Sequence, residues 1–293
     1  MQSEDDGRVH YGMFRKYVPT GAVTIAGQWF DYTTASSYPP ANYYASSPLV
    51  AAKIDVDRGI YIPNVAPEKQ FIRRLTCMSA ATGVTTATSQ NQDLMLMDYL
   101  LYYPFCDLDA VAEEQTLTNG VFIDRYTSGL GVMMMLVSQS ATAGGGNFVV
   151  KYTNSDGVTE RVTPTNYCLA AQPSGAIVNA TGVATSMTPF VQLQAGDKGV
   201  KSVQSITMGA ANGGLAAIVL VKPLQRTYIR EECRRPTSSP TECYGDASQI
   251  ERILMQSGTP QLMDNAVLGF IGRTSAGSIA GSTLVGTIET VWR

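Results

Sequence analysis

Between Phe148 and Thr163 the chain reads Phe-Val-Val-Lys-Tyr-Thr, then Asn-Ser-Asp-Gly, then Val-Thr-Glu-Arg-Val-Thr. Phe148, Val150 and Tyr152 alternate onto one side of an extended segment, and Asp156-Gly157 offers the residues that a tight turn accepts at positive φ. This pattern predicts a β-hairpin, and the same punctuation recurs along the chain. Strand-length runs are separated by glycine, proline and Asn/Asp turns, roughly every 8–15 residues. Such a chain is predicted to be mainly β, an antiparallel β-sandwich or jelly roll with an extended N-terminal arm and little helix.

Further strands are predicted at 53–57, 60–62, 131–138, 176–179, 190–193, 200–208 and 215–221, the last stopped by Pro223. Residues 94–105 (LMLMDYLLYYPF) fit a buried strand or a helix of three turns, and the strand is preferred because strands surround it. Residues 70–78 suit a short helix or an irregular strand. After a charged stretch with Arg226, Arg230, Glu231, Glu232, Arg234, Arg235 and Glu242, residues 246–256 suggest one short helix with Ile250, Ile253 and Leu254 on one face. Strands return at 266–271 and 283–292. Three segments are expected: an extended arm (1–50), a β core (51–225), and an appendage of charged loop and strands packing on that core (226–293). The arm is dense in tyrosine and proline. Tyr32, Tyr38, Pro39, Pro40, Tyr43 and Tyr44 are its candidate interface residues, lying on their own domain or on a neighbouring subunit, because tyrosine carries a large apolar ring with a polar tip.

Composition narrows the function. Only 15% of the 293 residues are charged, against about 25% in ordinary soluble domains. The difference has gone into 29 threonines and 22 serines. Hydrophobic content of 44% and a net charge of −3 exclude a disordered chain. A concentrated basic footprint is missing, so no nucleic-acid partner is expected. The long uncharged runs are rich in Gly, Ser, Thr and Asn rather than Leu and Ile, so no membrane-spanning helix is expected. Met1 to Asp6 is acidic and polar, unlike a secretory signal.

Sites of chemistry are equally sparse. The single histidine, His10, would have to serve any Ser–His, Cys–His or zinc mechanism, and its place near the chain terminus suits a solvent or interface role better than catalysis. Cys77, Cys106, Cys168, Cys233 and Cys243 contain no C-x-x-C pair and are expected as reduced thiols. Cys77 and Cys106 fit as small core hydrophobes, while Cys233 and Cys243 flank a loop that a disulfide would close in oxidising surroundings. Asp55/Asp57, sharing a strand face, and Asp107/Asp109, in a loop, are paired carboxylates that suit calcium or glycoside chemistry only if other oxygens converge on them. Solvated charge is the plainer assignment. Trp29 and Trp292 are too far apart in sequence to mark a sugar groove. Gly144-Gly145-Gly146 lacks the Lys and Ser/Thr of a phosphate loop, Gly277-Ser278-Ile279-Ala280-Gly281 is displaced from the G-x-S-x-G pattern, and Asn179-Ala180-Thr181 matters only in a secretory setting. No catalytic residue, cofactor or metal is expected, and the chain is not expected to be an enzyme.

Four stretches carry a resemblance: 62–69 (IPNVAPEK), 98–105 (DYLLYYPF), 152–157 (YTNSDG) and 214–223 (GLAAIVLVKP). They resemble segments of structural proteins of tailed-bacteriophage virions. The resemblance implies a virion component assembled in the host cytoplasm, foremost a head decoration or cement protein with a β-sandwich or jelly-roll core. Its expected partners are the major capsid protein or other virion proteins and further copies of itself. A neck, tail, baseplate or receptor-binding virion protein is the alternative, and a carbohydrate-binding or carbohydrate-cleaving protein the third.

Overall fold

The computed structural model describes residues 7–81, 90–181, 187–229, 248–251, 259–276 and 278–293. In chain order the strands are β1 (Val9–Tyr17), β2 (Trp29–Asp31), β3 (Ser36–Tyr38), β4 (Gln70–Ala81), β5 (Gln90–Asp107) and β6 (Glu114–Thr116). The middle adds β7 (Met133–Ser138), β8 (Asn147–Asn154), β9 (Arg161–Val162), β10 (Asn166–Cys168), β11 (Asn179–Thr181) and β12 (Val200–Met208). β13 (Leu215–Ile229), β14 (Ser248–Glu251), β15 (Gln261–Leu262), β16 (Leu268–Ala276) and β17 (Ser282–Trp292) follow. Helix among the described residues is limited to two 3-10 turns, Tyr32–Thr34 and Val56–Arg58.

These strands form three sheets, and every ladder is antiparallel. The first runs β14-β4-β17-β1-β3, with β15 also on β4; the second β2-β16-β5-β13-β7; the third β11-β10-β8-β12-β6, with β9 on β8. The second sheet is central. On its long strand β5, Leu94 and Leu96 pack with Phe14, Leu75, Phe270 and Ile288 toward the first sheet. Further along, Leu101, Tyr103 and Cys106 pack with Phe148, Val150, Val203 and Ile206 of the third. Met97, Tyr99 and Tyr102 turn to the opposite face, where Trp29, Tyr44 and Ile54 cover them. Two sandwiches thus share one sheet. Each fully buried Leu or Phe contributes about 1.5–3 kcal/mol, which is why alternation is kept so strictly along these strands.

One irregularity makes the sharing possible. Leu101 pairs with Leu220 and Tyr99 with Val221, so Leu100 is an extra residue in β5. Leu100 and Leu101 consequently fall in the same core cluster, and the bend that such a bulge introduces lets one strand serve both sandwiches.

The hairpin expectation is met at its turn. Gly157 has φ +81°, and its N–H donates to Asn154 O at 3.0 Å. The returning strand is shorter than expected, only Arg161–Val162. Residues 70–78 and 94–105 are both strands, parts of β4 and β5.

Other expectations are corrected. Residues 53–57 and 60–62 are not strands. Ile54 packs with Trp29 and Tyr102 on the back of the central sheet, while Ile60 and Ile62 turn into the first-sheet core beneath Gly12. The chain touches the central sheet at isolated bridges Ala52–Tyr102 and Ile60–Leu268, so its alternation reflects packing on sheets rather than membership of one. Residues 190–193 are likewise irregular, held by single bonds such as Val191 N–H to Met134 O at 2.9 Å. Pro223 does not stop β13, which continues to Ile229. β7 pairs with β13 only as far as Val221, so among the described residues no strand pairs with that edge of β13 beyond it, and proline's missing N–H deprives no ladder there. Where a helix was expected, Ser248–Glu251 is a strand paired antiparallel with β4, Ile250 in register with Leu75.

The division into arm, core and appendage also gives way. β1 pairs with β17 over its whole length, and β3 with β1, so the expected extended arm supplies strands to the first sheet. β16 and β17 each sit between two neighbours in their sheets. The last segment therefore supplies inner strands, not an appendage. Most of its charged loop, with Cys233 and Cys243, lies outside the described residues.

Candidate interaction surface

The expected interface tyrosines separate into two groups. Tyr32 and Tyr44 are completely buried within this chain, whereas Tyr38 and Tyr43 are more than half exposed. The separation begins at Asp31, itself inaccessible. Its Oδ1 accepts from Thr33 N at 2.9 Å, Thr33 Oγ1 at 2.8 Å and Tyr99 OH at 2.8 Å. Its Oδ2 accepts from Tyr44 OH. Burial pushes the Asp31 carboxyl up, against the opposing pull of these donors. A carboxylate so placed is tolerated only because its lone pairs are filled, and filling them fixes Tyr44 inward. Lys16 closes the knot: its Nζ donates to Pro39 O at 2.7 Å, and burial lowers its pKa to about 8 while Asp31 opposes the shift. Asn42 N–H donates to Thr33 O at 2.8 Å, and Arg58 Nη1 to Ala41 O at 3.0 Å. Residues 31–44 are consequently fixed on their own chain. Pro39 is buried and Pro40 exposed. Tyr32 and Tyr44 are withdrawn as interface residues; Tyr38, Pro40 and Tyr43 remain accessible.

Sequence reasoning missed the residues that extend this surface. β1 turns Phe14 and Lys16 inward, and Tyr11, Met13 and Arg15 outward. Tyr11 is 63% and Met13 67% exposed. Arg15 stands opposite Val285 of β17 on one side and Tyr38 of β3 on the other, and Val285 in turn opposite Met78 of β4. One row of the outer face therefore reads Tyr38, Arg15, Val285, Met78, with Met13, Thr287 and Thr76 in the next. The row of Tyr11 adds Glu289 of β17 and Arg74 of β4, with Arg73 and Arg74 both paired to Glu289, so the face sets Tyr, Met, Val and Thr beside Arg15 and an internally paired charge cluster. Its signal in the sequence was the alternation of Val9 to Tyr17, which an arm assignment had set aside. Across the described residues, more than half of the exposed large apolar side chains lie between Tyr11 and Tyr61.

The chemical candidates do not converge. Asp55 precedes and Asp57 sits within the 3-10 turn rather than on a strand face, both are exposed, and Arg58 lies 3.8 Å from Asp57. Asp107 and Asp109 are occupied with backbone: Asp107 Oδ1 accepts from Asp109 N and Asp109 Oδ1 from Gly213 N, each at 2.8 Å. Among the described residues no three His, Cys, Asp or Glu side chains cluster as a metal would need. His10 stacks on Trp292 with ring centroids 4.3 Å apart, and its Nδ1 lies 3.4 Å from Gln70 Nε2. Cys77, Cys106 and Cys168 are buried free thiols, and burial pushes all three upward, the latter two to about 12. They pack as apolar groups. Asn179 is buried, accepting from Leu136 N and donating to Thr188 O at 2.9 Å each, so it is a structural bracket.

No protein-family model matches the chain, and no curated protein matches it. A chain from a structure of infectious bursal disease virus Gx strain aligns over 97% of this chain and 80% of its own, at 10% identity and a TM-score of 0.19. Alignment at that score carries no weight for fold or function.

Proposed function

We propose that this chain is a structural component of a bacteriophage virion, stabilising the capsid shell as a decoration or cement protein. In this reading it works by contact rather than catalysis, with the major capsid protein or other virion proteins as partners. The observation that carries it is the outer face of the first sheet, where Tyr11, Met13 and Tyr38 stand accessible and Glu289 is already paired with Arg73 and Arg74. Large apolar groups held on a flat sheet supply contact area at low entropic cost, as recurring interfaces require. The resemblance of four segments to virion structural proteins supports the same assignment.

The test mixes purified protein with undecorated heads of the phage that encodes it and measures co-sedimentation. Saturable binding at a fixed copy number per head, weakened by Tyr38→Ser with Tyr43→Ser, is the expected result. Absence of head binding overturns the cement role, and binding to tails or host envelopes instead moves the chain to the tail or receptor-binding class.

A further inference from the structure

We propose that two copies of this chain pair through the open edge of β1, antiparallel and centred on Tyr11, joining their first sheets into one continuous sheet. Val18 N–H donates to Ser282 O at 2.9 Å, continuing the β1–β17 ladder, which has no register shift. Alternation then directs the main-chain groups of Lys16, Phe14, Gly12 and His10 toward β17, and those of Tyr17, Arg15, Met13, Tyr11 and Val9 toward the other edge. β3 pairs with that edge only from Arg15 to Tyr17. Among the described residues no strand pairs with it at Val9, Tyr11 and Met13.

Natural sheets blunt such edges with lysine, proline or a bulge. This one has none of these between Val9 and Phe14, and it carries the exposed side chains of Tyr11 and Met13 beside its free N–H and C=O groups. An unprotected apolar edge in a folded chain implies an occupant.

The edge fits itself. In the register centred on Tyr11, Val9 of each copy meets Met13 of the other and Tyr11 meets Tyr11 as a cross-strand aromatic pair; Arg15 keeps its pairing with Tyr38 of β3, where the new ladder ends, so no like charges are opposed. Each of Val9, Tyr11 and Met13 satisfies both of its main-chain groups. Direction follows from charge: Glu4, Asp5 and Asp6 outnumber Arg8 before the edge in the sequence, and Arg15 follows it. Antiparallel pairing brings the acidic end of one copy to the basic end of the other, whereas parallel pairing brings like to like. An isologous contact of this kind closes as a dimer.

The experiment measures the mass of the full chain by light scattering from micromolar protein to the highest soluble concentration. The parent is expected as a dimer. Tyr11→Lys with Met13→Lys is expected to give a monomer with unchanged circular dichroism, since both side chains are exposed in one copy. A second variant fixes the register: Tyr11→Cys should form a covalent dimer on mild oxidation, because Cα atoms in a hydrogen-bonded antiparallel pair lie about 5.5 Å apart, within disulfide reach. The parent treated identically controls for the native thiols. A monomeric parent at every concentration overturns the proposal. So does a dimer that survives the lysine changes, or a Tyr11→Cys dimer that fails to cross-link. If the lysine variant does not fold, the cross-link decides alone. Shell binding is measured separately, so a dimer that ignores heads refutes the cement role and leaves this pairing intact.

Discussion

Replacing Asp98 tests how the two sandwiches are held to their shared sheet. Asp98 lies on β5 between Leu96, which packs toward the first sheet, and Leu100, which packs toward the third. Its side chain is wholly buried, and that of Arg125 is 9% exposed. Arg125 Nε donates to Asp98 Oδ2 at 3.0 Å and Nη2 to Oδ1 at 2.9 Å, while Val267 N–H donates to Oδ1 at 3.0 Å. Arg125 Nη2 also donates to Tyr99 O at 2.9 Å. Asp98→Asn is nearly isosteric and keeps an acceptor for Val267, so its cost falls on the guanidinium, which loses its buried counter-charge and keeps only the half-exposed Asp124 carboxylate at 3.1 Å. Breaking a buried pair this way costs about 3–5 kcal/mol. That is a large part of the 5–15 kcal/mol typical of a folded domain, and it corresponds to a melting shift of roughly 6–15 °C. Urea unfolding followed by tryptophan fluorescence reads the difference. Asp98→Leu with Arg125→Met, which removes both charges, should recover most of the loss. A change below about 1 kcal/mol in Asp98→Asn, the scale of a solvent-screened pair, would refute the reasoning. A double variant no more stable than the single one would show that packing, not charge, sets the cost.

Three further outcomes are expected. Burial opposes ionisation of Asp197, but Arg161, Tyr152 and Asn154 outweigh it and hold the carboxyl at about 2. Its contribution is therefore present above the unfolded value near 4, and is lost as pH falls from there through about 2; Asp197→Asn should flatten that part of the acid unfolding curve relative to the parent. Lys16, lowered to about 8 by burial, binds fewer protons folded than unfolded between about 8 and its ordinary value near 10.4. Parent stability should thus rise with pH across that window relative to Lys16→Met, measured by chemical denaturation of both. Removing residues 1–50 deletes β1, β2 and β3 together with buried Phe14, Phe30, Tyr32 and Tyr44. The remainder should be insoluble or lose cooperative melting; a soluble, sharply melting core would restore the arm assignment.

Much of the fold was legible locally. The ladder Val200–Met208 and the turn at Asn154–Gly157 follow from neighbours within a few residues, where side-chain period and glycine geometry act directly. β5 was legible as a strand only because its surroundings were β. Its bulge was not, since an extra residue shows itself only against a partner strand. Residues 53–57 and 190–193 misled because packing against a sheet and belonging to one impose the same alternation. Of the tyrosines marked in the sequence, Tyr38 and Tyr43 are accessible, while the equally accessible Tyr11 and Met13 were overlooked.

The amino-acid sequence by itself determined the antiparallel β class and the low proportion of charged residues, because each depends on composition or on short-range pattern. Tertiary structure alone decided that the chain's two ends meet, β1 against β17, and that one sheet serves two cores. It also decided the fate of the tyrosines. Tyr43 and Tyr44 are adjacent and chemically identical, yet Tyr44 reaches a buried carboxylate and is hidden while Tyr43 stays in solvent. No local rule separates them; the position of Asp31 in the folded chain does.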